Sequence, residues 1–133
     1  MSTTVVIRPG KLAGSVTPPP SKSQAHRLII AAALARGEIR LENVDLSQDL
    51  RATLSCMEAL GARWSLKDRT LVVQGFGGAA QLAGRLPRFD CGESGSTLRF
   101  LIPIALAAAG GGVFTGHGRL MQRPQKPYFD LFH

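Results

Sequence analysis

The chain repeats itself at a fixed offset. Ser21 opens one Ala-rich apolar stretch and Ser94 opens another, 73 residues later. Gly37 follows the first and Gly110 the second, again 73 apart. Between these marks, Leu28-Ile29-Ile30-Ala31-Ala32-Ala33-Leu34-Ala35 parallels Leu101-Ile102-Pro103-Ile104-Ala105-Leu106-Ala107-Ala108. A strand-like stretch comes after each, Ile39 to Val44 and then Gly112 to Gly116. Self-similarity of this kind marks one supersecondary unit used twice, with each copy burying its apolar face against neighbouring elements.

The contents of the unit follow from local pattern. Thr4 to Arg8 is a short β-branched strand closed by Pro9-Gly10, and Gly14 to Thr17 is a candidate second strand. Pro18-Pro19-Pro20 enforces an extended, stiff connector and marks a domain boundary. Ser21 or Ser23 then caps a buried helix that Gly37 stops. Glu38 to Val44 reads as a strand. Ser47 caps a second helix, with Leu50, Leu54, Met57 and Leu60 on one face and Gly61 at its end. Arg63 to Leu66 and Thr70 to Gln74 flank Lys67-Asp68-Arg69 as a hairpin. The order is βαβαββ, an α/β arrangement. It begins again with a strand from Leu86 to Asp90, a helix from Ser94 to Gly110, and a helix starting near Gln125 with Tyr128, Leu131 and Phe132 as its apolar face.

Composition excludes several classes. With 133 residues there is room for one domain with a core. Two cysteines do not make a disulfide scaffold, and a start without a basic, then apolar, leader points to a cytoplasmic protein with reduced thiols. The ten-residue apolar run from Phe100 to Ala109 contains Pro103 and is too short to cross a membrane. Sixteen basic against nine acidic residues give a formal net charge of +7. The cations are spread evenly, with no basic run and one Trp and one Tyr for stacking, which argues against a nucleic-acid partner. Twelve of the sixteen are Arg, the side chain that grips carboxylate and phosphate bidentately. No CxxC pair occurs and the three histidines are far apart, so no metal-ligand spacing exists.

Three clusters carry chemistry. In Ser21-Lys22-Ser23-Gln24-Ala25-His26-Arg27, an extended segment enters a helix whose free N–H groups and dipole favour an anion. Ser23 adds a hydroxyl, Arg27 lies one turn further on the same face, and Lys22 stands at the mouth. His26 reads as a surface or structural residue rather than a base. The second cluster is Gly92-Glu93-Ser94-Gly95-Ser96-Thr97-Leu98-Arg99. Here Gly95 admits close approach to the backbone, Ser96 and Thr97 can donate, and Arg99 is one turn beyond. It is neither a P-loop nor a nucleophile elbow. The third cluster is Arg119-Leu120-Met121-Gln122-Arg123-Pro124, with Pro124 near the start of the next helix and its counterpart, Asp45 to Arg51, containing Asp49. Both stretches follow strand ends, where α/β folds place ligand sites.

Taken together, Pro20-Ser21-Lys22-Ser23 with Arg27, Asp49, Gly95-Ser96 with Arg99, and Arg123-Pro124 resemble the N-terminal part of the 5-enolpyruvylshikimate-3-phosphate synthase family. The resemblance covers this whole chain, whereas family members are longer and have two domains of three βαβαββ repeats each. It implies transfer of the enolpyruvyl group of phosphoenolpyruvate to the 5-hydroxyl of shikimate 3-phosphate, with release of phosphate. The route is addition then elimination, with no metal or organic cofactor. It implies that Lys22 is catalytic and touches both substrates, that Ser23 and Arg27 hold shikimate 3-phosphate, and that Gly95 and Arg123 serve phosphoenolpyruvate. Asp49, Ser96 and Arg99 are further candidates. The resemblance also assigns residues 1–19 to the other domain, 20–82 to a first repeat and 83–133 to an incomplete second. The family's acid–base carboxylates lie beyond this stretch, so the remainder of the enzyme is a required partner and the chain alone is expected to be inactive. The second loop departs from the pattern: it reads Glu93-Ser94-Gly95-Ser96-Thr97 where many members read Asn-Ala-Gly-Thr-Ala. The sister transferase acting on UDP-N-acetylglucosamine usually has Asn after the shared Lys, where this chain has Ser23. A non-catalytic anion-binding fragment is the alternative from another class.

Overall fold

The computed structural model describes residues 3–132. Its elements run α1 (Lys22–Leu34), β1 (Arg36–Leu41), α2 (Gln48–Ala59), β2 (Arg63–Lys67), β3 (Thr70–Phe76), β4 (Arg88–Asp90), α3 (Gly95–Ala109), β5 (Val113–Thr115), a 3-10 turn (Leu120–Gln122) and α4 (Lys126–Leu131). Helices and strands are thus mixed along the chain.

The three long helices start alike. Ser21 Oγ accepts from the Gln24 N–H at 3.3 Å, Ser47 Oγ from Leu50 N–H at 3.4 Å, and Ser94 Oγ from Thr97 N–H at 3.1 Å. Each cap satisfies one of the free donors of a first turn. The helix ends differ. Gly110 closes α3 in the left-handed conformation, φ 70°. Gly37 does not close α1, contrary to the sequence expectation: the helix ends at Leu34, Ala35 turns extended, and Gly37 lies inside β1. Sheet pairing is the reason, because Arg36 and Gly37 register against Phe76 and Gly75. Backbone pairing over six residues outweighs a local stop signal.

β1, β3 and β2 form an antiparallel sheet in that order. The inner face of β3 is Leu71, Val73 and Gly75, alternating as a half-buried strand must. α1 and α2 pack on that face, and Ile29, Leu50, Leu54, Met57 and Leu60 fill the space with at most 1% exposure each. Gly75 allows the closest approach. A Cβ there would collide with the backbone carbonyls of Ala32 and Ala35, so the end of α1 lies directly on the strand. β4 and β5 are a separate parallel pair, with Phe89 stacked on Phe114 across the register at 4.8 Å.

Residues 3–19 take no helix or strand, so the strands read at Thr4 to Arg8 and Gly14 to Thr17 are absent among the described residues. Val5, Val6, Ile7, Leu12 and Val16 are 75–99% exposed. A strand needs a partner to satisfy its backbone and cover its side chains, and this segment has none within the described chain. At the other end, Tyr128 stacks with Phe132, but Leu131 faces outward at 73% exposure, so the apolar face of α4 is narrower than its sequence implied. Pro124 precedes α4, and Pro127 occupies its first turn. No described helix is long and apolar enough to cross a membrane.

Candidate functional site

The starts of α1, α2 and α3 meet. At the α1 start, the Lys22 ammonium pairs with the Asp49 carboxylate from the first turn of α2. Both side chains keep solvent access, 54% and 31% respectively, so the pair stands at a surface mouth rather than in the core. The two residues are 27 apart in sequence, and the fold places them together. One turn along α1, Arg27 Nη1 donates to the Ser23 carbonyl at 2.8 Å. The guanidinium also lies 5.2 Å from the centroid of the Phe100 ring, which belongs to α3. That is within cation–π range, and only Nη1 of its fork of donors is hydrogen-bonded among the described residues. Ser23 is exposed beside it.

At the α3 start, the contact is between Gly95 and Arg123. A Cβ on Gly95 would stand 2.7 Å from Arg123 Nη1. The guanidinium therefore covers the first residue of the helix, beside its free N–H groups. Leu120, 1% exposed, anchors the turn that delivers Arg123. Ser96 and Arg99 are exposed on the first turns of α3. The Glu93 carboxyl lies where a Cβ of Gly118 would be. The sequence-predicted residues thus fall into two contact groups, Lys22 with Asp49 and Gly95 with Arg123, with Ser23 and Arg27 flanking the first.

Sequence reasoning missed what lies beneath. His26 is 1% exposed, not a surface residue, and its Nδ1 is 2.9 Å from Thr53 Oγ1. Thr53 Oγ1 is 2.8 Å from Thr97 Oγ1, and Thr97 Oγ1 donates to Ser94 Oγ at 2.7 Å or to the Asp49 carbonyl at 3.2 Å. The one available signal was Thr53, a polar residue standing in the apolar stripe between Leu50 and Met57. Burial lowers the His26 pKa below its usual value of 6.5; Asp49 opposes this, and Lys22 and Arg27 reinforce it. The imidazole is neutral at pH 7. Cys56 and Cys91 are both buried and free, with Cys56 Sγ donating to the Asp90 carbonyl at 3.3 Å.

This geometry can hold anions at two neighbouring helix starts, one dressed with Lys22 and Arg27 and the other with Arg123. Comparison with known proteins gives the family. The family model described as EPSP synthase (3-phosphoshikimate 1-carboxyvinyltransferase) matches residues 6–133. A 3-phosphoshikimate 1-carboxyvinyltransferase of Clostridium perfringens is 44% identical over 128 residues, which is 96% of this chain and 30% of that protein. The enzyme of the same name from Clostridioides difficile is 43% identical over 133 residues, covering 95% and 30%. A solved EPSP synthase from Acinetobacter baumannii superposes with a TM-score of 0.74 at 28% identity, over 85% of this chain and 26% of that one. The chain spans about 30% of the length of the curated relatives it matches. Because the family model matches residues 6–133, nearly all of this chain, the chain belongs to the EPSP synthase family.

Proposed function

We propose that this chain supplies one wall of a site that transfers the enolpyruvyl group of phosphoenolpyruvate to the 5-hydroxyl of shikimate 3-phosphate, releasing phosphate. The observation that carries the reading is the meeting of two cationic helix starts, Lys22 with Arg27 and Gly95 with Arg123. Both substrates are anions. They repel each other until fixed cations and helix N-termini offset their charge, and holding them together is a large part of lowering the barrier. Ser23 and Arg27 receive shikimate 3-phosphate. Gly95 and Arg123 receive phosphoenolpyruvate, with Ser96 and Arg99 at its edge. Lys22, between them, touches both and stabilises charge that develops during addition and elimination. Asp49 holds the Lys22 ammonium in place.

The opposite wall, with the proton-transferring carboxylates, comes from the remainder of the enzyme in this reading. The architecture is βαβαββ, with residues 20–82 as a first unit, 83–133 as part of a second, and 1–19 crossing to the other domain. The setting is cytoplasmic. The 133 residues alone bind phosphate weakly and do not turn over. The test is to incubate the chain with both substrates and follow phosphate release, then repeat with the rest of the protein supplied. Turnover by the chain alone, abolished in Lys22→Ala, overturns the one-wall reading. Failure of the complete protein to release phosphate overturns the assignment.

A further inference from the structure

Four polar side chains lie under the two helix starts and take no part in the chemistry proposed above. His26, Thr53, Thr97 and Ser94 are each at most 2% exposed. They form one continuous chain across three helices. His26 Nδ1 meets Thr53 Oγ1 at 2.9 Å, Thr53 meets Thr97 at 2.8 Å, and Thr97 meets Ser94 at 2.7 Å. Both threonine hydroxyls also reach the Asp49 carbonyl at 3.2 Å. The ends of the chain matter. His26 is one helical turn beyond Lys22 and adjacent to Arg27 on α1. Asp49 is the partner of Lys22. Ser94 is the cap of the helix that begins with Gly95. We propose that this buried chain is a positioning device that fixes the Lys22 helix start against the Gly95 helix start, with His26 held as the neutral Nδ1–H tautomer. This rests on reading those two starts as one anion-binding wall.

Donor accounting decides the tautomer. His26 Nε2 is buried with no partner among the described residues. A neutral imidazole carries one N–H. On Nε2, that N–H would be orphaned in the core, against the tilted Phe100 ring 6.3 Å away. On Nδ1, it donates to Thr53, and only a lone pair is left bare. Buried N–H groups without acceptors are the rarer and costlier defect. The Nδ1 proton then sets the direction of donation. Thr53 accepts from His26 and donates toward Thr97 or the Asp49 carbonyl, and Thr97 donates toward Ser94 or the same carbonyl. Protonating the ring would add the orphaned donor at Nε2, close to Lys22 and Arg27, with only Asp49 to offset it. The links His26–Thr53 and Thr53–Thr97 therefore couple the orientation of one helix to the next, and Thr97–Ser94 carries the coupling to the α3 cap.

The test uses this protein, inorganic phosphate as the probe, and nitrogen NMR of the His26 ring. The expected parent spectrum shows Nδ1 protonated and Nε2 bare. Phosphate is expected to shift the amides of both Ser23 and Gly95. In Thr97→Val, which keeps shape and removes the hydroxyl, the His26 nitrogen signals move although that side chain is not a direct neighbour in the chain. Phosphate affinity falls about fivefold or more, and Thr97→Ser restores both. Thr53→Val serves as the second variant if Thr97→Val fails to fold. An Nε2–H tautomer, or unchanged phosphate affinity in a folded valine variant, overturns the proposal alone. No phosphate shift at either helix start in the parent overturns the anion-wall reading, and the proposal with it.

Discussion

The α1 and α3 starts are built from the same local chemistry, a serine cap followed by a first turn free of acidic residues, yet they sit in opposite environments. At α1 the cap is exposed and the first two turns project Lys22, Ser23 and Arg27 outward. At α3 the cap is 2% exposed, Gly95 is buried, and the cation above it is borrowed from Arg123, 28 residues away. The difference is instructive. A helix start at a surface can present its own cationic side chains, and one set in the core offers backbone donors and takes its charge from elsewhere in the chain.

That contrast can be broken in several places. The largest effect is expected from Arg27→Ala in a protein with both walls. Loss of a charge-assisted contact should weaken shikimate 3-phosphate binding by about 1.5–3 kcal/mol and phosphoenolpyruvate binding less, as calorimetry would measure. Equal losses for both ligands would erase the division of labour between the starts. Next come the caps. Ser94→Ala should cost about 2 kcal/mol of unfolding free energy, at the top of the range for caps, because a buried acceptor of both the Thr97 N–H and the Thr97 hydroxyl is lost. Ser21→Ala should cost about 0.5–1 kcal/mol, since water can replace an exposed cap. Urea titration of the two variants compares them directly.

Gly95→Ala sharpens the point in a different way. The new methyl meets the mobile tip of Arg123 rather than backbone, so the fold should tolerate it. Phosphate affinity should fall about tenfold, because displacing Arg123 removes a charge-assisted contact, while stability changes by less than about 0.5 kcal/mol, as for many sites where alanine suits a helix. The pH dependence of stability tests the buried side of α1. His26 has its pKa lowered by burial, so above about pH 6.5 folded and unfolded chains are both neutral and the term is absent. As the pH falls below that value, the unfolded chain takes up a proton that the folded one refuses, and stability declines until the folded pKa is passed. His26→Asn, which can still donate to Thr53, should flatten that slope in thermal melts between pH 7 and 5. Lys22→Ala should likewise alter stability by less than about 1 kcal/mol, because its ion pair with Asp49 is solvent-exposed.

Some of this was legible in the sequence because it is local. Leu50, Leu54, Met57 and Leu60 declared the buried face of α2, and all four are 1% exposed. The caps Ser21, Ser47 and Ser94 were readable for the same reason, since a cap bonds three residues onward. What failed was non-local. Thr4 to Arg8 has strand composition, yet composition cannot provide a partner strand. Gly37 looks like a helix stop until β3 arrives to pair with it. In the site, the resemblance named Gly95 and Arg123, and the fold brings Arg123 Nη1 to 2.7 Å from where a Cβ of Gly95 would stand. The His26, Thr53 and Thr97 chain was hidden because each hydrogen bond joins residues 27 or 44 positions apart.

The connectivity of the two sheets carries a kinetic consequence. β2 and β3 are joined by two residues, Asp68 and Arg69, with Asp68 already in the left-handed region at φ 54°. Such a hairpin closes over a short loop, on the order of microseconds. β4 and β5 are parallel, and meet only across a crossover that contains the whole of α3. Loop-closure entropy must therefore be met later and over a longer span at the α3 end. Folding is expected to nucleate where Leu71 and Val73 of the hairpin receive Ile29 and Leu54. Truncating Leu71 should slow folding, and truncating Phe89 should mainly speed unfolding. Stopped-flow kinetics of Leu71→Ala and Phe89→Leu would measure the two arms, with the Gly95 helix start the last part of the wall to take shape.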